Sequence, residues 1–284
     1  MDNSWACRVL GDSRLEVLPT ITAEKLAPLV PSSMKVTVTV SPDLGIDATL
    51  ALTEDLHRRG VRVVPHLTAR GIAGPSQLER IIARLMELGI DEVFVIGGDP
   101  DRPVGEFESA LDLLESLATL PQRPSTIGIG AYPEGHPKIS DDALTSALLA
   151  KQRYASYAIM QISFNPEAML KWINDATAAG FTLPLYLCLP GTIRFDRLVR
   201  IAMRLGIGAS LRYLEKQRGL ARFVLTGGAR YDPWATIGEL AESADAARDR
   251  IIGVHWSTFN AVESTVKWVQ EKQRELGCPG DGSA

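Results

Sequence analysis

The chain has 284 residues, 45% of them hydrophobic and 23% charged, and a net charge of −4. That is ample for one domain with a large buried core and ordinary for a globular protein. The acidic balance argues against a nucleic-acid surface, since neutralising phosphates takes clustered Lys and Arg; the one compact basic patch, His57 to Gly60, reads as the polar end of a helix.

The N-terminal stretch MDNSWACRVLGDSR lacks the basic start and apolar run of a signal peptide, and no later apolar run reaches membrane-spanning length. Short apolar runs then alternate with amphipathic ones. Strands are predicted at 14–18, 35–41, 62–67, 92–96, 126–131, 157–163, 183–189 and 250–256. Several are apolar on successive residues, as strands buried on both faces of a parallel sheet must be. A short helix at 23–29 follows the first strand and a longer one at 46–59 the second. After the third, Ser76-Gln-Leu-Glu79 reads as a capping box. It opens a helix with Leu78, Ile81, Ile82, Leu85 and Met86 on one face, stopped by Gly89. Helices at 106–118, 141–154, 166–179 and 261–276 read the same way. Phe195, Leu198, Val199, Ala202 and Leu205 repeat the spacing before Gly206, and 209–247 carries extra helical material before the eighth strand.

Eight strands, each followed by a helix, predict a single α/β domain, a (β/α)8 TIM barrel over 1–276, with a disordered tail at 277–284. The alternative, a doubly wound sheet, calls for a Gly-rich phosphate loop after strand one that this sequence lacks. Cys7, Cys188 and Cys278 are odd in number, with no CxxC and no metal-ligand spacing. That usage suggests a reducing, cytoplasmic location.

Barrel enzymes place their chemistry at the C-terminal ends of the strands, and unusual polar residues gather there. Glu16 interrupts strand one. Strand three ends in Pro65-His66-Leu67-Thr68, strand four in Gly97-Gly98-Asp99-Pro100, and strand five in Ala131-Tyr-Pro-Glu-Gly-His136-Pro137; Gln161 and His255 fall inside strands six and eight. Each has a plainer reading. A strand carboxylate must be paired or have a raised pKa, because burying its charge is costly, so Glu16 could serve an Arg. Asp99 could cap the next segment, Gln161 could be a satisfied core amide, and His136 could pack a loop.

The segments Glu16-Val-Leu-Pro19, Pro65-His-Leu-Thr68, Gly98-Asp-Pro100, Ala131-Tyr-Pro-Glu-Gly-His-Pro137 and Gln161 together resemble the ordered motifs of the methylenetetrahydrofolate reductases. The resemblance runs from about residue 13 to 270, and AYPEGHP is its most specific part. It implies interconversion of 5,10-methylenetetrahydrofolate and 5-methyltetrahydrofolate with NAD(P)H, usually through FAD, in one-carbon metabolism and methionine biosynthesis. By position, Glu16 would be the proton donor to N10 and Asp99 an ionised group stabilising the cationic intermediate. Gln161 would join Asp99 on the folate. Thr39, His66, Gly98, Ala131, Tyr132, His136 and Lys151 would meet the cofactor, and no metal is expected.

Two departures bear on the cofactor. Gly97 stands where the family usually has Arg. The stretch 145–153 keeps little of the polar set that holds the flavin's ribose and phosphates, leaving Lys151 and Arg153 as its cations. Either FAD is held differently, or hydride passes directly from a nicotinamide. Two readings from other classes stay open: a metal-dependent barrel hydrolase using His66, His136, His255 and Asp99, and a non-catalytic folate or flavin binder. The expected partner is a folate, with no nucleic acid and no membrane; a homo-oligomer is left open.

Overall fold

A computed structural model describes residues 2–98, 100–204 and 230–279. Its strands are β1 (Ser13–Val17), β2 (Lys35–Val38), β3 (Val63–Thr68), β4 (Glu92–Ile96), β5 (Thr126–Ala131), β6 (Tyr157–Met160), β7 (Leu185–Pro190) and β8 (Ile251–Ser257). Each pairs in parallel with the next, and β8 returns to β1, closing a barrel in strand order. The predicted (β/α)8 architecture is therefore the observed one.

The helices are α1 (Asn3–Gly11), α2 (Ala23–Leu26), α3 (Gly45–Arg58), α4 (Pro75–Glu87), α5 (Ala110–Ala118), α6 (Asp141–Gln152), α7 (Pro166–Ala178) and α8 (Phe195–Arg204); α9 (Trp234–Glu242) and α10 (Val262–Leu276) follow. Helix α4 shows why they sit where they do. Leu78, Ile81, Ile82 and Leu85 recur at helical spacing and are buried against the barrel, each worth about 1.5–3 kcal/mol of transfer free energy. The capping box expected at Ser76 does not form. Gly74 is the N-cap and Pro75 opens the helix, because proline's fixed φ and missing N–H suit that first position. Gln77 reaches back instead, its Oε1 accepting the Ala73 N–H at 2.7 Å. A true box forms at Ser109 and Asp112, which starts α5 four residues later than 106.

Helix α1 is absent from the sequence-based expectations. It packs beside α9 and α10, and Cys7 on it is disulfide-bonded to Cys278, with the Cα atoms 5.3 Å apart. The odd cysteine count gave no hint of this pair; Cys188 is the free, buried thiol. Part of the extra helical material expected at 209–247 lies outside the described residues. Within them, α9 and a 3₁₀ turn at Ala246–Arg250 precede β8.

Two apolar layers hold the fold. One lies between sheet and helices, around Trp5, Leu15, Leu78, Val95, Leu187 and Trp256. The other fills the barrel lumen with Val64, Phe94, Tyr157, Ile159, Tyr186 and Cys188. Gly128 is small for that reason, since a Cβ there would lie 2.4 Å from the Tyr157 ring.

Candidate active site at the barrel mouth

Strand register decides which polar groups meet. Glu16 lies opposite Thr37 on β2 and Ser257 on β8. His66 lies opposite Phe94, and Cys188 opposite His255. Side chains two residues apart on a strand point the same way, so Arg14 and Glu16 both enter the lumen, Arg14 the deeper.

Arg14 is engaged through both terminal nitrogens, while its buried Nε has no partner among the described residues. It donates to Glu92 at 2.5 Å, to the Tyr157 hydroxyl at 2.8 Å and to the Tyr186 hydroxyl at 2.7 Å. Lys35 meets the other Glu92 oxygen at 2.5 Å, and Tyr186 passes a hydrogen bond to Asp12 at 2.6 Å. Burial pushes the Glu92 carboxyl up, but Arg14 and Lys35 outweigh it and hold the group below the ordinary carboxylate range. The Arg that could have paired with Glu16 is thus spent on Glu92.

Glu16 has weaker company. Ser257 donates to its Oε1 at 3.0 Å, while Oε2 lies 3.9 Å from His255 Nε2 and the side chain keeps 25% of its exposure. Burial raises its pKa to about 7, against a smaller opposing pull from the Ser257 hydrogen bond. A carboxylic acid poised near neutrality is suited to general-acid work. Its backbone is clamped from β8: Thr258 Oγ1 donates to the Glu16 carbonyl at 2.6 Å. Asn260 then accepts the Leu18 N–H at 2.9 Å. Phe259 and Asn260 hold positive φ of 48° and 65° to make this clip, a strained geometry for residues other than glycine.

Two neutral histidines complete the group. His66 is buried against Phe94, with ring centroids 4.7 Å apart. Neither of its ring nitrogens has a hydrogen-bond partner among the described residues, and burial lowers its pKa to about 3. An unmet buried polar group costs about 1–3 kcal/mol. His255 Nε2 lies 3.0 Å from Thr37 Oγ1 and its Nδ1 3.7 Å from Cys188 Sγ. Burial first, with the Arg14 charge adding to it, keeps it neutral. Glu16, His66 and His255 offer atoms that all lie within 4.8 Å of one another.

The other expected residues of β2, β4, β5 and β6 lie at or beyond the C-terminal ends of their strands. Thr39 sits just past β2, its N–H donating to the Val17 carbonyl at 3.0 Å. Gln161 lies just beyond β6, not inside it, because its own Oε1 takes the Ile162 N–H at 2.9 Å and the strand stops. Gly98 ends the β4 turn at φ +93, a left-handed conformation that favours glycine. Buried Ala131 closes β5. Beyond it, Tyr132 meets His136 edge-on at 5.4 Å, and His136 Nδ1 accepts the Lys138 N–H at 3.2 Å. His136 is therefore a loop residue outside the cluster of Glu16, His66 and His255. Asp99 lies outside the described residues. Sequence reasoning missed Ser257 and Thr37; the readable signal was that Ser257 follows His255 by two on one strand face.

Among the described residues, those expected to face a flavin's phosphates do not suit them. Lys151 is buried, its ammonium turned onto the Gly130 carbonyl at 3.2 Å, and burial lowers its pKa to about 8. Arg153 is exposed at the end of α6, and the first turn of α6 carries Asp141 and Asp142, charges that repel a diphosphate. At Gly97 an added Cβ would meet nothing within 4 Å, so the absent Arg leaves open space at the mouth.

Three yeast proteins align with parts of the chain. Methylenetetrahydrofolate reductase 2 of Schizosaccharomyces pombe is 32% identical over 124 residues, 38% of this chain and 19% of that protein. Methylenetetrahydrofolate reductase 1 of the same organism is 24% identical over 150 residues, 50% of this chain and 25% of that one. Methylenetetrahydrofolate reductase 2 of Saccharomyces cerevisiae is 25% identical over 137 residues, 44% of this chain and 23% of that protein. The aligned stretches thus span a quarter or less of these relatives' own lengths. The family model for methylenetetrahydrofolate reductase matches residues 20–204, a stretch that takes in β2 through α8 and with them Thr39, His66, Gly98, Ala131 and Gln161. The chain belongs to the methylenetetrahydrofolate reductase family.

Proposed function

We propose that this chain interconverts 5,10-methylenetetrahydrofolate and 5-methyltetrahydrofolate, with NAD(P)H as the electron source for reduction and Glu16 as the proton donor. The observation that carries this reading is the Glu16 carboxyl, raised to about 7 by burial at the mouth of a barrel of this family. In the reducing direction Glu16 gives its proton to N10 and the bond from N10 to the methylene carbon breaks. The imidazolidine ring then opens to an N5 iminium ion. Hydride adds to the methylene carbon and leaves the N5-methyl product.

The other expected residues have roles in that sequence. Ser257 donates to Oε1, which leaves Oε2 to carry the transferable proton. Asp99, ionised, would stabilise the iminium charge, and Gln161 would read the pterin edge with its amide. His66 is held neutral by burial, so it adds no positive charge beside the cation. Because phosphate donors for a flavin are few among the described residues, we assign the hydride directly to a nicotinamide, which Thr39, Gly98 and Tyr132 would contact. A flavin seated at Thr39, His66, Gly98, Ala131, Tyr132, His136 and Lys151 is the second reading, favoured by the family resemblance alone. No helix among the described residues is long and apolar enough to cross a membrane. The cytoplasmic location expected from the cysteine count runs against the Cys7–Cys278 disulfide, a bond that persists in oxidising compartments.

The test is turnover of methylenetetrahydrofolate with NADH by the purified chain and by Glu16→Gln. The parent should turn over, and the variant should lose roughly 10²–10⁴-fold, the usual worth of a general acid. The parent's visible spectrum should lack flavin bands. Turnover of the variant within a few-fold of the parent removes Glu16 from the chemistry.

A further inference from the structure

The proposed reaction asks of His66 only that it be neutral, which does not explain why a buried polar ring stands there. The lumen at that level is otherwise apolar or hydrogen-bonded, yet this imidazole is 2% exposed and both its nitrogens lack partners among the described residues. It faces His255 at 6.3 Å between ring centroids, nearly parallel at 26°. We propose that Glu16, His66 and His255 form a binding site for a divalent transition-metal ion of the zinc class, seated on the same carboxylate that would protonate the folate.

The donor set is one carboxylate and two imidazoles, a set that zinc accepts while leaving a fourth position open. The groups are already convergent, since their candidate ligand atoms lie within 4.8 Å of one another and Glu16 Oε2 stands 3.9 Å from His255 Nε2. Tetrahedral zinc with bonds of about 2.0–2.2 Å needs ligand atoms roughly 3.3 Å apart, so the widest pair must close by about 1.5 Å. Glu16 can move toward the two imidazoles, and rotation of the imidazoles would supply any closure between them. Glu16 Oε2 accepts no hydrogen bond among the described residues, and the side chain is a quarter exposed (25%). The outer contacts suit the change. Ser257 holds Oε1 and leaves Oε2 free. If His255 Nε2 leaves the Thr37 hydroxyl for the metal, its Nδ1–H points to Cys188 Sγ, the kind of outer hydrogen bond that fixes a ligating imidazole. Zinc in this position occupies Glu16 and competes with its proton, so the site would act as a reversible off-switch on folate turnover. Only that last consequence rests on Glu16 being the acid.

The experiment uses the whole chain, freed of metal by a chelator and of any affinity tag. Cobalt(II) is titrated in while its visible absorption is recorded, and zinc(II) binding is measured by calorimetry. One ion per chain is expected, with cobalt bands that zinc displaces. His66→Gln and His255→Gln, checked for fold by circular dichroism, should each weaken binding by at least the roughly 10–100-fold known for loss of an outer partner. His57→Gln and His136→Gln should bind as the parent does. Absence of cobalt bands, or binding unchanged by both His66→Gln and His255→Gln, overturns the site. If the ion binds as expected but saturating zinc leaves turnover untouched, the metal site stands and the role of Glu16 as acid falls.

Discussion

Two layers of the same barrel lumen, built two residues apart on the same strands, treat polar groups in opposite ways. In the lower layer Arg14 has Glu92, Tyr157 and Tyr186 within 2.8 Å, and Lys35 and Asp12 extend the network. In the upper layer Glu16 has one firm hydrogen bond, from Ser257, and His66 has none among the described residues. The lower carboxylate is held ionised by Arg14 and Lys35 against its burial, whereas burial leaves the upper one half protonated near neutrality. A barrel interior can therefore be polar for two unrelated reasons. A densely paired network fixes the fold, and a sparsely paired one waits for a ligand.

The contrast can be broken from the lower side first. Arg14→Met strands Glu92 with Lys35 as its one remaining cation and takes from the Tyr157 and Tyr186 hydroxyls the hydrogen bonds that Arg14 donates. Breaking a buried pair in this way costs about 3–5 kcal/mol, readable in urea unfolding, while turnover per folded molecule should stay within a few-fold of the parent. A loss below about 1 kcal/mol would show that the lower layer is not the structural element.

From the upper side the sign reverses. The folded-state pKa of Glu16 is raised from its ordinary 4.5 to about 7 by burial. Between those pH values the unfolded chain ionises before the folded one does, so stability falls as pH rises through that window and levels off above it. Glu16→Gln removes this penalty. The variant should be more stable than the parent by about 1–3 kcal/mol at pH 8 and no more stable near pH 4, as thermal melts at the two pH values would show. An equal difference at both would mean that charge burial is not the cause.

Ser257→Ala is the finer probe. Its hydroxyl lowers the Glu16 pKa, so its loss should move the alkaline fall of the pH–rate profile upward by about 0.5–1 unit. Ser257→Thr should restore the parent profile. A downward shift would assign Ser257 some other task.

The barrel was legible in the sequence because buried parallel strands and amphipathic helices write different periods, and all eight strands were placed within a few residues. Glu16 and His66 were legible as polar residues breaking apolar strands. Their partners were not. Ser257 and Thr37 are small hydroxyls of the kind strands carry anywhere, and only closure of β8 onto β1 brings them to Glu16. Nor does sequence reveal that Lys151 turns inward onto Gly130, since a cation on an amphipathic helix reads as solvated. The Cys7–Cys278 bond depends on α1 and α10 meeting across a separation of 271 residues, which spacing cannot convey.

The central claim is that the upper layer keeps a protonated acid at neutral pH, and titration of Glu16 tests it most directly. With glutamate labelled with carbon-13 at the side-chain carboxyl, the Glu16 resonance, identified by its loss in Glu16→Gln, should titrate with a midpoint near the value of about 7 set by burial. The turnover rate in the reducing direction should fall over the same range. A midpoint at the ordinary carboxylate value would contradict the claim, because Glu16 would then hold no proton to give.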